Sequence, residues 1–202
     1  MHIDDTIRYY DENATRFTER SLEENVDDAL SRFTSHLVDG TRVLEAGCGA
    51  GRDIEYFMSK GFEVEAFDAS IEMCNIARER TGIDVKHQRF DEYNPNGKTF
   101  NGIWASASLL HVPFENLISI YNKLISTLDE GGVFYASYKY GSEDKISEKS
   151  GRFFIHMNEE RFKRLMDSIP NVKIAHLWAS HDNRAHRQHD KWMKTIIKKE
   201  AV

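Results

Sequence analysis

Cysteine and proline are scarce in this chain, with two and three residues among 202. Cys48 and Cys74 stand in no CxxC or Cys/His zinc spacing, which argues against a disulfide framework and points to a reducing, cytoplasmic compartment. Long apolar runs are missing too: no stretch of about 18 apolar residues, the length of a membrane span, occurs. The polar start Met1-His2-Ile3-Asp4-Asp5 lacks the apolar core of a signal peptide. A soluble protein without a membrane partner is therefore expected. Basic excess is absent as well. Lys and Arg total 27 against 33 acids, a formal charge of −6. Nucleic-acid binding depends on phosphate neutralisation, so no nucleic-acid partner is expected. There are no internal repeats or low-complexity segments. The remainder is ordinary globular composition, 40% hydrophobic and 30% charged, in a length suited to one domain over 1–202.

Hydrophobic periodicity divides the chain. Residues 6–21 carry Tyr9, Tyr10, Phe17 and Arg20 among polar neighbours and read as a helix or an ordered arm over the domain. From Leu22, apolar residues at Val26, Ala29, Leu30, Phe33 and Leu37 keep helical period until Asp39-Gly40. Arg42–Glu45 reads as a first strand. Asp53–Ser59 reads as a helix with Ile54, Phe57 and Met58 inward, stopped by Gly61. Strands over Glu63–Asp68, Ile83–Gln88, Phe100–Ser106 and Val133–Tyr138 follow. Between them lie helices capped by Ser70 and opened by Pro113, the second ended by Gly131-Gly132. Strict β/α alternation predicts a parallel sheet wrapped by helices. The polar segment 140–151 reads as a mobile loop, and Asn158 caps a last helix. Val172–Ala179 and Lys191–Lys198 are two strands with no helix between them, which predicts an antiparallel pair at one sheet edge.

The stretch from Val43 to Asp53 (VLEAGCGAGRD) organises the rest. A short apolar strand ends at Glu45, then Gly47, Gly49 and Gly51 fall at every second position. Bare backbone there can approach a ligand, and the next helix presents its unpaired N–H groups at the same place. A P-loop needs Lys-Ser/Thr at the end of the glycine run, where this chain has Arg52-Asp53. A dinucleotide site has GxGxxG, whereas this chain has GxGxG with Asp53 at the helix start, an acid that repels a pyrophosphate and suits an ammonium group. Asp68 lies 21 residues beyond Gly47 at the end of the second strand, where a carboxylate accepts bonds from two ribose hydroxyls. Ribose, ammonium and no phosphate together fit S-adenosylmethionine, and an NAD-linked reductase is disfavoured by the Gly51/Asp53 pattern.

At these residues the chain resembles the class I S-adenosylmethionine-dependent methyltransferases. The resemblance covers nearly the whole length and is nearest a small tellurite-resistance-like subgroup. It is carried by Gly47-Cys48-Gly49-x-Gly51-Arg52-Asp53, Phe67-Asp68-Ala69-Ser70, the run from Ile103 to Pro113 (IWASASLLHVP) and the run from Tyr135 to Gly141 (YASYKYG). Tyr10-Asp11-x-Asn13-Ala14 and Asp182-x-Arg184-x-x-Arg187-x-x-x-Lys191-Trp192 add to it. It implies a three-layer Rossmann-like α/β sandwich, with a mostly parallel seven-stranded sheet in the order 3-2-1-4-5-7-6 and the last strand antiparallel. It also implies methyl transfer from S-adenosylmethionine, with S-adenosylhomocysteine as product, to a small-molecule acceptor.

The same resemblance distributes roles. Glu45, Gly47, Cys48, Gly49 and Gly51 back the methionine and ribose parts of the cofactor. Asp68 holds the ribose hydroxyls, or simply caps the strand end. Ala69 and Met73 touch the adenine, with core packing as the other reading of Met73. Phe90 and Asp91 flank the adenine and its amino group. Ala105 and Ser106 end the fourth strand at the methyl-transfer face, where no Asn-Pro-Pro-Tyr-type motif stands, so methylation of DNA-base amino groups is not expected. Arg52 pairs the cofactor carboxylate or forms a surface salt bridge, and Asp53 meets the ammonium. His111 acts as a base or caps the following helix. Tyr10 and Arg20 close over the cofactor, while Tyr9 and Phe17 read as packing. Tyr10, Trp104 and the Tyr138/Tyr140 loop are candidate walls for the acceptor, and Arg184 and Arg187 attract an anionic one. No metal site is expected at His181, His186 and His189, since a converging, supported ligand set is missing. In-line displacement then relies on alignment and water exclusion. A competing expectation is a non-catalytic cofactor-binding module that serves a partner protein. The protein is expected to be a monomer or homodimer.

Overall fold

The protein is described from a computed structural model, which covers residues 2–38, 40–184 and 187–201. The chain opens with α1 (His2–Glu12), α2 (Ala14–Leu22) and α3 (Asp27–Thr34), then β1 (Arg42–Ala46), α4 (Arg52–Ser59), β2 (Glu63–Asp68) and α5 (Ile71–Thr81). After β3 (Lys86–His87) and β4 (Phe100–Ala105) come a 3-10 turn at Leu109–His111, α6 (Phe114–Ser126) and β5 (Leu128–Tyr140). Short strands β6 (Lys145–Ile146), β7 (Phe153–Phe154) and β8 (His156–Met157) lead to α7 (Glu159–Met166), β9 (Val172–His181) and β10 (Lys191–Lys199). No helix among the described residues is long and apolar enough to cross a membrane.

The main sheet runs β3-β2-β1-β4-β5-β10-β9, with β8 also paired to β5. Pairs from β3 to β5 are parallel, and β10 is antiparallel to both β5 and β9. This is the expected α/β fold and strand order, with β8 as an eighth strand. Successive strand residues face opposite layers. Ile103 and Phe134 enter one core with Leu117, Tyr121 and Phe162 of α6 and α7. Trp104 and Tyr135 enter the other, with Phe33 of α3 and Phe57 of α4. Both faces of the sheet are covered, as a parallel sheet requires.

Several local expectations need correction. α3 stops at Thr34 rather than near Asp39, because the hydroxyls of Thr34 and Ser35 bond back to the carbonyls of Leu30 and Arg32 and compete with further helix. Asp39 lies outside the described residues. Met58 is 42% exposed, on the outer side of α4. The third strand shrinks to Lys86–His87, an exposed edge where short strands are common. α6 ends at Ser126, with Thr127 Oγ1 donating to the Leu124 carbonyl, and Gly131-Gly132 lie inside β5. The register of β5 against β4 shifts between the Phe100–Leu128 and Gly102–Val133 pairs, and the diglycine fills that irregularity. Segment 140–151 carries β6, which pairs antiparallel with β7.

Candidate functional site

The site forms where β1, β2 and β4 end. Beyond Ala46 the chain turns, and the amides of Gly47 and Cys48 both donate to the Phe67 carbonyl at 2.9 and 3.1 Å. Gly47 has φ +78°, and a Cβ there would stand 2.4 Å from the Ser108 Cβ, so only glycine fits. Ser108 Oγ in turn donates to the Ala46 carbonyl at 2.7 Å. Gly49 also has positive φ, but a Cβ there would meet nothing within 4 Å, so the loop backs onto open space. Asp68 holds this loop: Oδ2 accepts from the Gly49 amide at 2.8 Å and Oδ1 from the Ser70 amide at 2.9 Å. Each oxygen keeps a second lone pair, which is what a vicinal diol needs. Burial raises the pKa of Asp68, and the amides of Ser70 and Gly49 oppose that shift.

A cavity of about 440 Å³ opens over this loop. Its lining includes Glu45, Gly47, Cys48, Gly49, Arg52, Asp53, Asp68, Ala69, Met73, Phe90, Asp91 and Ser106, together with Tyr10 and His111. Twelve of the fourteen expected cofactor residues thus meet in one place. Of the other two, Gly51 packs against Ala77 and Thr81 of α5, and Ala105 is buried in the α6/α7 core.

The charges at one end are uneven. Asp53 is engaged on both oxygens, accepting from Arg52 Nε at 2.6 Å and Nη2 at 3.0 Å and from Trp104 Nε1 at 2.8 Å. Arg52 Nη1 donates to the Ser21 carbonyl and lies 3.5 Å from Glu24. Arg52 therefore ties α4 to the end of α2 and is not a free surface cation. Glu45 is 3% exposed, and its Oε2 has no hydrogen-bond partner among the described residues. Burial, reinforced by Asp53, pushes its pKa well above the usual carboxylate range. A buried acceptor without a donor is costly, and a ligand ammonium would relieve that cost. The orphaned Glu45 oxygen, the open face at Gly49 and the two spare lone pairs of Asp68 fit S-adenosylmethionine. Asp91 is turned toward Arg89, whose Nε donates to it at 3.2 Å.

Helix α1 closes the cavity. Tyr10 Oη lies 2.8 Å from His111 Nε2, and His111 Nδ1 lies 2.6 Å from the Phe153 carbonyl. A carbonyl only accepts, so Nδ1 carries the proton, and Nε2 accepts from the Tyr10 hydroxyl. Arg152 Nη1 donates to Tyr10 Oη at 3.0 Å. Burial, with Arg152 and Lys139 nearby, pushes the His111 pKa down to about 3, so the ring is neutral at ordinary pH. Asp11 accepts from Ser70 Oγ at 2.6 Å, Asp4 pairs with Arg89 at 2.9 Å, and Thr6 Oγ1 accepts from the Phe153 amide. Asp11, Arg152 and Ser108 carry parts of the site that sequence reasoning missed. The contacts that place them in the site span 59 to 142 residues of chain, and only Asp11 and Ser108 fell inside quoted motifs.

Other expected acceptor residues lie elsewhere. Trp104 and Tyr138 are fully buried in the two cores; Trp104 stacks on Tyr135, and the Tyr138 hydroxyl meets that of Tyr121. Neither is a wall of the cavity, because strand alternation turns both into the packed layers. Arg20 is exposed on α2. Arg184 is bidentate to buried Asp182, and Arg187 is held by Asp190, so both brace the β9–β10 connection. His186 lies outside the described residues. Among the described residues no three His, Cys, Asp or Glu converge as metal ligands.

Comparison with known proteins agrees with this geometry. The methyltransferase-domain family model matches residues 15–189. An uncharacterized methyltransferase of Staphylococcus carnosus (strain TM300) is 31% identical over 137 residues, a match spanning 65% of this chain and 66% of that protein. The Burkholderia thailandensis 1,6-didemethyltoxoflavin-N1-methyltransferase, crystallised with 1,6-didemethyltoxoflavin and S-adenosylhomocysteine, is similar in fold. Its TM-score is 0.77 at 18% identity, over 96% of this chain and 88% of that one. A chain of the complex between the Haloferax volcanii Trm112 methyltransferase activator and a methyltransferase aligns with TM-score 0.81 at 16% identity, over 98% of both chains. With a family match over most of its length and a fold and glycine loop to suit, the chain belongs to the methyltransferase-domain family.

Proposed function

We propose that the protein transfers a methyl group from S-adenosylmethionine to a small-molecule acceptor held beneath α1. The observation that carries this reading is the joint placement of Asp68, the open glycine loop and the orphaned Glu45 oxygen around one cavity. Its volume lies within the range of small-molecule sites, and α1 leaves no broad face for a macromolecular acceptor. S-adenosylmethionine supplies an electrophilic methyl group on a sulfonium.

Asp68 takes the ribose hydroxyls, Glu45 the ammonium, and Ala69, Met73, Phe90 and Asp91 surround the adenine. Ser106 and Tyr10 face the acceptor. Tyr10 Oη gives its proton to His111 Nε2 and takes one bond from Arg152, so one lone pair is left to accept an N–H or O–H of the nucleophile. On a hydroxyl acceptor, methylation leaves an oxonium whose proton is strongly acidic. A base as weak as His111 then suffices to receive it through Tyr10, and Phe153 holds the imidazole in the required tautomer. Alignment and water exclusion by α1 supply the remainder. The tellurite-resistance-like label rests on motifs alone and assigns no acceptor.

Calorimetry with S-adenosylmethionine tests the reading. Micromolar binding is expected. Asp68→Ala should weaken it by about 10- to 100-fold, the loss of charge-assisted hydrogen bonds. Wild-type affinity in Asp68→Ala would sink the proposal. Formation of S-adenosylhomocysteine across an acceptor panel separates catalysis from mere cofactor binding.

A further inference from the structure

Beside Tyr10 and His111 lies a group of cations that the cofactor does not use. Arg152 is half-buried, with its guanidinium over four aromatic rings, 4.3 Å from the Tyr9 centroid and 5.0 Å from that of Phe154. Its Nε donates to Ser150 Oγ and its Nη1 to Tyr10 Oη; Nη2 has no hydrogen-bond partner and Arg152 no carboxylate partner among the described residues. On the same Phe154 ring stands Lys139, its Nζ 5.6 Å from the centroid and equally 5.6 Å from Trp192. Among the described residues the carboxylate near Lys139 is that of Asp190, whose Oδ2 accepts from Lys139 Nζ at 3.5 Å and also from Nε and Nη2 of Arg187. His111, a wall of the cavity, lies 4.8 Å from Phe154 as well. Arg152, bonded to the cavity wall Tyr10, and Lys139 thus share one aromatic ring, and neither has a carboxylate to itself among the described residues, in a protein of net charge −6.

Burial alone does not explain the pair. Arginine and lysine ordinarily enter such settings with a carboxylate. The Lys139 ammonium is depressed by burial and by Arg187, against the opposing pull of Asp190. An incoming anion would supply the missing partner, with Phe154 and Trp192 packing an apolar frame next to it.

We propose that Arg152 and Lys139 form the anchor for an oxyanion group, carboxylate or phosphate, on the methyl acceptor. The anchor fixes the acceptor so that its nucleophile lies at Tyr10. This inference rests on the methyltransferase reading and names the acceptor class for that same site. It replaces Arg184 and Arg187, which are spent on Asp182 and Asp190, as the anion-recognising residues.

The test is calorimetry on the full chain at constant ionic strength, first with S-adenosylhomocysteine and then, on the loaded protein, with benzoate, phenyl phosphate and neutral benzamide. Benzoate or phenyl phosphate is expected to bind at least tenfold more tightly than benzamide, and the stronger of the two identifies the oxyanion. Lys139→Gln should remove that preference while S-adenosylhomocysteine affinity stays within threefold. Arg152→Lys should retain more of it than Arg152→Gln. Equal binding of benzamide, no binding of either anion, or an undiminished preference in Lys139→Gln would overturn the anchor while leaving the methyltransferase reading intact. Failure of S-adenosylhomocysteine to bind at all would instead strike the underlying reading, and the acceptor anchor with it.

Discussion

At the scale of single residues, the least settled group in the site is Glu45. It is buried, its Oε2 has no donor, and Asp53 stands close enough to oppose its charge. Such a group stabilises a bound cation at the expense of the fold. Glu45→Gln keeps the shape and removes the charge. It should raise the melting temperature of the ligand-free protein by about 2–4 °C for each kcal/mol relieved. The same change should weaken S-adenosylmethionine binding about tenfold, which scanning fluorimetry and calorimetry would read together. A lower melting temperature with unchanged affinity would contradict the role. His111 makes a second prediction at this scale. The unfolded chain protonates this histidine below about pH 6.5, whereas the folded protein does so only below about 3. The unfolded state therefore binds more protons between those values, so stability falls as pH falls through that window and is level above it. His111→Gln should flatten the pH slope of urea stability between pH 4 and 6 by up to about 1.4 kcal/mol per unit. An unaltered slope would show that the imidazole is free to charge in the fold.

Among the elements, most of the α/β alternation was legible because each strand and helix carries its own period. Val133–Tyr138 and the face of Leu117, Tyr121 and Leu124 have it, and they fold as a strand and a helix. The misreadings share one cause: a local signal was overruled by a partner elsewhere. Gly131-Gly132 look like a helix stop but serve a register shift against β4. Trp104 looks like a pocket wall, yet alternation turns it toward Phe33 and Phe57, where its indole N–H steadies Asp53 from behind. The gathering of the glycine-loop residues around one cavity was legible, since they are compressed into eleven positions and Asp68. The fastening of α1 was not, because Asp11–Ser70, Thr6–Phe153 and Tyr10–Arg152 join distant residues with no shared motif. That fastening predicts how α1 behaves. Asp11 Oδ1 accepts both the Ser70 hydroxyl and, at 3.3 Å, the Glu72 amide at the start of α5. Asp11→Ala should therefore cost about 1–3 kcal/mol of α1 docking and appear mainly as faster cofactor release in stopped-flow displacement, about 5- to 100-fold. An off-rate equal to wild type would mean that α1 does not gate the cavity.

For the molecule as a whole, the cavity lies where separately stabilised parts come together. The β1 loop brings Cys48 and Ala50 from two small clusters, the end of β2 and the 3-10 turn bring Phe67 and Val112 from one large core, and α1 brings Tyr10. A ligand seated there links α1 and the small cluster of Ala14, Ala50 and Met73 to the large core that holds Phe67 and Val112, and it binds only the folded state. Linkage then fixes the gain in stability: ligand at a hundredfold excess over its dissociation constant adds about 2.7 kcal/mol. In a chain of 202 residues, that raises the melting temperature by about 5–10 °C. S-adenosylhomocysteine should produce this shift in the wild-type protein and in Lys139→Gln alike, because the acceptor anchor lies apart from Asp68 and Glu45. In Asp68→Ala at the same concentration the shift should fall to about 1–6 °C, since affinity weakened about 10- to 100-fold leaves about 0.4–1.4 kcal/mol. If Lys139→Gln lost the shift as fully as Asp68→Ala, the cation pair on Phe154 would belong to the cofactor pocket, and cofactor and acceptor would not occupy separate halves of the cavity.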